Sequence, residues 1–283
     1  MTFSNHKNYV RCLAVLNSGY LASGSYDHTI QIWDPNHGRL VRTLIGHINV
    51  VHDLSVLPNG NLASCGWDRS IRIWNTTSGG LVLEFNSSNQ VIHTLAAFKN
   101  GNLAGSVYYQ KHIFIWNTES GNLVKKIEAK NHKMNRLIVL NNGNLVSAGR
   151  DNRINIWDPN TGVLVRNLLG HSGKVNSLAQ LESGYLASGG EDETVIIWNA
   201  NDGKKIGSFA LNEPINVIQV LKNGCLAIGT NKNKLKFWDT KSNRLIQNVN
   251  LRSTSVHSLA LLPNGYLASA AWDNNVTIWK LNR

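Results

Sequence analysis

Hydrophobic and polar residues alternate in short runs along the whole chain. Val50-Val-His-Asp-Leu-Ser-Val-Leu57 is rich in β-formers, and Pro58-Asn-Gly60 then turns the chain. Asn61-Leu-Ala-Ser-Cys65 follows, Trp67-Asp-Arg-Ser70 turns again, and Ile71-Arg-Ile-Trp74 puts Ile71 and Ile73 on one face with Arg72 on the other. After Asn75-Thr-Thr-Ser-Gly79 comes Leu81-Val-Leu-Glu-Phe85. Period-two alternation broken by turn residues predicts four short strands in this passage. No segment keeps a helical apolar period for three turns, so no helix of consequence is expected.

The passage recurs. Its last tryptophan returns as Trp33, Trp74, Trp116, Trp157, Trp198, Trp238 and Trp279, each 40 to 42 residues after the one before. The first turn returns as Asn17-Ser-Gly19, Pro58-Asn-Gly60, Lys99-Asn-Gly101, Asn141-Asn-Gly143, Glu182-Ser-Gly184, Lys222-Asn-Gly224 and Pro263-Asn-Gly265. A glycine at one fixed point says that backbone geometry repeats, and the Asn-Gly pair predicts a tight hairpin with positive φ at both residues. Seven equal units of strands predict a radial array of small sheets in one domain, residues 1–283.

Gly46-His47, Leu21-Ala-Ser-Gly-Ser25, Asp27 and Ile30-Gln-Ile-Trp33-Asp34, with their counterparts, resemble the WD-repeat (WD40) family over essentially the whole chain. The resemblance implies an all-β, seven-bladed β-propeller of four-stranded antiparallel blades around a central channel. After Trp279 only Lys280-Leu-Asn-Arg283 remains, so the seventh copy lacks its outer strand. Residues 1–6 align with Arg42–His47, which predicts that the N-terminal strand completes the last blade, closes the ring and hides two sheet edges.

The resemblance also implies a hydrogen-bonded set within each blade, made of His, Ser, Asp and Trp. Three copies carry it whole: His6, Ser23, Asp27, Trp33; His47, Ser64, Asp68, Trp74; and His171, Ser188, Asp192, Trp198. Copies four and seven keep Ser147, Asp151, Trp157 and Ser269, Asp273, Trp279 but have Lys130 and Arg252 in the aligned His position. Copy three has Gly105 for Ser, and copy six has Ile228 for Ser and Lys232 for Asp. Because the set repeats and each copy is tied to a Trp, it reads as structural and not as a nucleophilic triad, and no catalytic residue is assigned. The histidines lack metal-site spacing, and no cofactor is expected.

Composition narrows the partners. Hydrophobic residues are 42% and charged ones 16%, enough for a packed core. No apolar run approaches the roughly 20 residues that span a bilayer, and no signal-peptide core opens the chain. Cys12, Cys65 and Cys225, odd in number, suit a reducing compartment. The expected setting is therefore the cytoplasm, with the nucleus as alternative, away from membranes. The net charge is +11 with pI near 9.7, which favours acidic partners, phosphates or nucleic acid without choosing among them.

In the implied fold, the residue before the turn Asp faces the channel mouth. It is Tyr26, Trp67, Tyr108, Arg150, Glu191, Asn231 and Trp272 in turn. In a closed ring Trp272, Tyr26, Trp67 and Tyr108 form one aromatic arc, extended by Tyr9 and Val50, while Arg150, Lys174 and Lys133 make the other half more basic. Clustered exposed aromatics mark binding surfaces. The expected function is a non-enzymatic scaffold, monomeric by itself, that holds a protein or peptide there. Ranked below it are a phosphate- or nucleic-acid-binding propeller and the propeller portion of a larger multidomain regulatory protein. Lys232, Lys234 and Lys236 alternate with Leu235 and Phe237, which suggests edge protection or, less well, phosphate binding.

Overall fold

A computed structural model describes residues 1–86, 90–107, 110–129, 132–251 and 255–281. Its first strand, β1, is Thr2–Phe3. Blade 1 is β2 (Val10–Val15), β3 (Leu21–Ser25), β4 (Ile30–Asp34) and β5 (Arg39–Leu44). Blade 2 is β6 (Val51–Val56), β7 (Leu62–Gly66), β8 (Ser70–Trp74) and β9 (Leu81–Asn86). Blade 3 is β10 (Ile92–Ala97), β11 (Asn102–Val107), β12 (His112–Asn117) and β13 (Leu123–Glu128). Blade 4 is β14 (Met134–Val139), β15 (Leu145–Gly149), β16 (Ile154–Trp157) and β17 (Leu164–Leu168). Blade 5 is β18 (Val175–Gln180), β19 (Leu186–Gly190), β20 (Thr194–Trp198) and β21 (Lys205–Ala210). Blade 6 is β22 (Ile215–Val220), β23 (Leu226–Thr230), β24 (Lys234–Asp239) and β25 (Arg244–Asn250). Blade 7 is β26 (Val256–Leu261), β27 (Leu267–Ala271) and β28 (Val276–Trp279), with β1 as its outer strand.

All neighbours within a blade are antiparallel, and inner strands of successive blades pack side by side around a ring. The closure predicted from the repeat is present. Thr2 pairs with Thr277 and Phe3 with Val276, and the Ile278 amide donates to the Met1 carbonyl at 2.8 Å. Phe3 is buried and stacks on Trp33 of blade 1, with ring centroids 5.0 Å apart. The closing strand thereby ties blade 7 to blade 1.

The core lies between blades. Cys12, Ala22 and Ile32 of blade 1 pack on Val51, Leu54, Leu62 and Trp74 of blade 2, and each later seam repeats this arrangement. Blades approach closely enough to require glycine at one seam: a Cβ on Gly24 would lie 2.7 Å from Val51 Cγ1. Each second strand is buried over most or all of its length, whereas outer strands face water.

The first hairpin differs from the expected pair of positive φ values. Gly60 has φ 86° but Asn59 does not leave the ordinary region. The Gly60 amide donates to Leu57 O, and the Leu57 amide to Asn61 O, both at 2.9 Å. This is a three-residue loop that ends in a left-handed glycine, in which Pro58 brings its own fixed φ.

Candidate functional site

Each hydrogen-bonded set pins a blade's outer layers to the loop at the channel mouth. In blade 1 the Trp33 indole N–H donates to Ser23 Oγ at 2.8 Å, the hydroxyl donates to His6 Nε2 at 2.7 Å, and His6 Nδ1–H donates to Asp27 at 2.7 Å. Asp27 also accepts from the Lys7 amide, which fixes the entry loop. His47, Ser64, Asp68 and Trp74 repeat this in blade 2, and His171, Ser188, Asp192 and Trp198 in blade 5. Burial raises the carboxyl of Asp192, but hydrogen bonding and charge from His171 outweigh it and bring it down to about 2. Asp27 and Asp68 are likewise held well below the carboxylate range against burial, by His6 and His47. The Ser23, Ser64 and Ser188 side chains are fully buried, out of reach of any substrate.

Blade 4 departs from expectation. His132, not residue 130, completes its set: Nδ1 meets Asp151 at 2.8 Å and Nε2 meets Ser147 at 2.9 Å, with the Trp157 indole on the same hydroxyl at 2.8 Å. A shorter entry loop puts His132 only two residues before Met134, where His47 precedes Val51 by four. Lys130 and Arg252 lie outside the described residues.

The two eroded blades substitute other contacts. In blade 3 a Cβ on Gly105 would lie 2.8 Å from the Trp116 ring, and Phe114 stacks on that ring at 5.7 Å. In blade 6 buried Glu213 accepts from Thr230 at 2.9 Å and pairs with Lys234 and, at 3.6 Å, with Lys236. Burial raises the Glu213 carboxyl, and these partners lower it below its usual range. Because β24 is an interior strand with Lys236 buried, the edge-protection reading is corrected, and pairing with Glu213 leaves Lys234 and Lys236 poorly placed for phosphate.

At the channel mouth, Trp272 stacks on Tyr9 (centroids 5.8 Å), Tyr9 meets Tyr26 edge-on (6.0 Å), and Tyr26 meets Trp67 edge-on (6.2 Å). His257 stacks on Trp272 at 4.7 Å, and His52 on Trp67 at 6.2 Å, so imidazoles extend the arc at both ends. Tyr9, Trp67 and Trp272 are 41%, 39% and 47% exposed, and Tyr26 is half-buried. Val50 is a correction: it is 5% exposed because it turns into the blade, and Ile48, at 78%, is the aliphatic residue presented there. Tyr108 lies outside the described residues. Arg150 and Lys174 line the opposite wall of the same cavity, with Lys174 paired to Glu191.

That cavity, about 690 Å³, is the mouth of the channel. Its wall contains a device that the repeat pattern did not bring out. Every inner strand is bulged at its second residue: pairing jumps from Val10 to Cys12, Val51 to Asp53, Ile92 to Thr94, Met134 to Arg136, Val175 to Ser177, Ile215 to Val217 and Val256 to Ser258. The unpaired residues are Arg11, His52, His93, Asn135, Asn176, Asn216 and His257, and all seven line the cavity. Bulges re-aim side chains, and here they form a collar. Its members reach from blade to blade: His52 Nδ1 to His93 O at 2.8 Å, Asn135 to Asn176 Oδ1 at 2.8 Å, Asn176 to Ile215 O at 2.9 Å, and Asn216 to Ser255 Oγ at 2.8 Å. A polar residue recurring at one repeat position inside an apolar strand was the available signal.

The family model for the WD domain, G-beta repeat matches residues 1–34, 38–75, 121–158, 162–199 and 245–280, well over half of the chain. The two long unmatched stretches, 76–120 and 200–244, hold most of the eroded third and sixth blades. No curated protein matches the chain. Repeat, closed ring and matched segments agree, and the chain belongs to the WD-repeat (WD40) β-propeller family.

Proposed function

We propose that this propeller is a non-enzymatic recognition scaffold that holds a peptide or protein loop across the aromatic half of its channel mouth. Propellers of this family commonly serve as protein-interaction scaffolds and are generally not enzymes. The observation that carries the reading is the unbroken arc Trp272–Tyr9–Tyr26–Trp67 at the rim of an open cavity. Two of the nine tryptophans fall outside the structural repeat position, and both stand in this arc. Large rigid rings bury much area for little conformational entropy, which makes them the usual energetic anchors of interfaces.

The test compares capture by the wild type with capture by a Tyr26→Ala/Trp67→Ala/Trp272→Ala variant of equal melting temperature. Partners held by the first and lost by the second support the reading, and full retention refutes it. The net charge of +11 supports a second reading, binding of phosphate or nucleic acid. It predicts affinity that falls steeply with salt and is insensitive to the aromatic substitutions.

A further inference from the structure

Among the described residues the collar's hydrogen bonds run from blade 2 to blade 3 and from blade 4 through to blade 7, and none joins His257 of blade 7 to Arg11 of blade 1. There His257 Nε2 is enclosed without a hydrogen-bond partner, and the Arg11 guanidinium meets no carboxylate among the described residues. Two other cations on the cavity wall face carboxylates: Arg136 approaches Asp53 at 3.5 Å and Lys174 pairs with Glu191. His257 lies against Trp272, and Trp272 against Tyr9, so the unanswered donors are at the foot of the aromatic arc.

We propose that Arg11, flanked by His257, is the receptor for one carboxylate side chain of the bound peptide, an Asp or Glu that enters the channel mouth beside an apolar residue seated on Trp272 and Tyr9. This rests on the peptide-binding reading above. A guanidinium presents paired N–H donors that match the two oxygens of a carboxylate, and a partly dry wall strengthens the pair. The single charge of Arg11 suits one carboxylate; a phosphate dianion calls for more. The charge of Arg11 already acts on the imidazoles around it. Burial first, and then Arg11, lower His257 to about 3, and Arg11 also contributes to lowering His93 and His52. A carboxylate placed there would relieve this field.

The experiment selects binders from a random peptide display library on the full chain, then measures each selected peptide beside its Glu→Gln or Asp→Asn form and its phosphoserine form. The wild type is expected to enrich Asp or Glu next to an aromatic or aliphatic residue, and to lose at least about tenfold in affinity when the acid becomes its amide. Arg11→Gln is expected to bind acid and amide within about twofold of each other, at a melting temperature no lower than wild type because it breaks no ion pair, and Arg11→Lys to keep part of the preference. Enrichment without acids, a preference that survives in Arg11→Gln, or tighter binding of the phosphoserine form overturns the carboxylate assignment alone. Failure of the library to yield peptides sensitive to Trp67→Ala and Trp272→Ala overturns the peptide-binding reading with it.

Discussion

Trp272 and Tyr9, from opposite ends of the chain, stack face to face with centroids 5.8 Å apart. They meet because the ring closes: Trp272 follows β27 of blade 7, Tyr9 leads into β2 of blade 1, and β2 packs on β26 and β27 while β1 completes blade 7. Ring closure therefore also assembles the aromatic arc.

If β1 is the closure, its anchor is Phe3, buried against Trp33. Phe3→Ala removes a buried ring at the only seam joined by strands from both termini. The expected cost is about 3 kcal/mol, which lowers the melting temperature by roughly 6–12 °C in calorimetry. An unchanged melting point would mean that the ring holds without its closing strand.

The blade 4 set makes a second prediction. His132→Ala strips a partner from both Ser147 and Asp151. It should destabilise by about 2 kcal/mol, like His171→Ala in blade 5, because buried polar groups are left unpaired. Denaturant midpoints of the two variants check this, and a neutral His132→Ala would show that blade 4 is held by apolar packing alone.

Acid sensitivity follows from the collar. Burial, with the charge of Arg11, Arg150, Arg136 and Lys174, lowers His93 to about 3, so it stays neutral in the folded chain. A histidine whose folded value lies below its ordinary 6.5 contributes stability that is complete above pH 6.5 and is lost as pH falls toward 3. Asp192, brought down to about 2, adds a further loss only between about pH 4 and 2. Urea midpoints should thus decline from about pH 6.5 downward, each imidazole contributing at most about 1.4 kcal/mol per pH unit. His93→Asn, which installs the residue that blades 4 to 6 use in this position, should flatten the slope. An unaltered slope would contradict the assignment.

Much of this was legible in the residues. The tryptophan step, the turn glycines and the alignment of residues 1–6 with 42–47 carried the ring and its closure, because each reflects a backbone constraint that recurs in every blade. Positions that depend on local loop length were not legible. His132 was hidden by a two-residue shift that alignment to His47 passes over, and Val50 was placed on the face as the counterpart of Tyr9, although the exposed ring and the buried valine differ at that shared position. The collar needed the ring itself, since its hydrogen bonds join residues about forty positions apart in neighbouring blades.

The most direct test is the affinity of a captured partner for Trp67→Ala and Trp272→Ala singly, by titration calorimetry at matched melting temperature. The account predicts at least about thirtyfold weakening for each, the scale of an interface anchor of about 2 kcal/mol. Affinities within threefold of wild type for both would place the recognition surface elsewhere on the propeller.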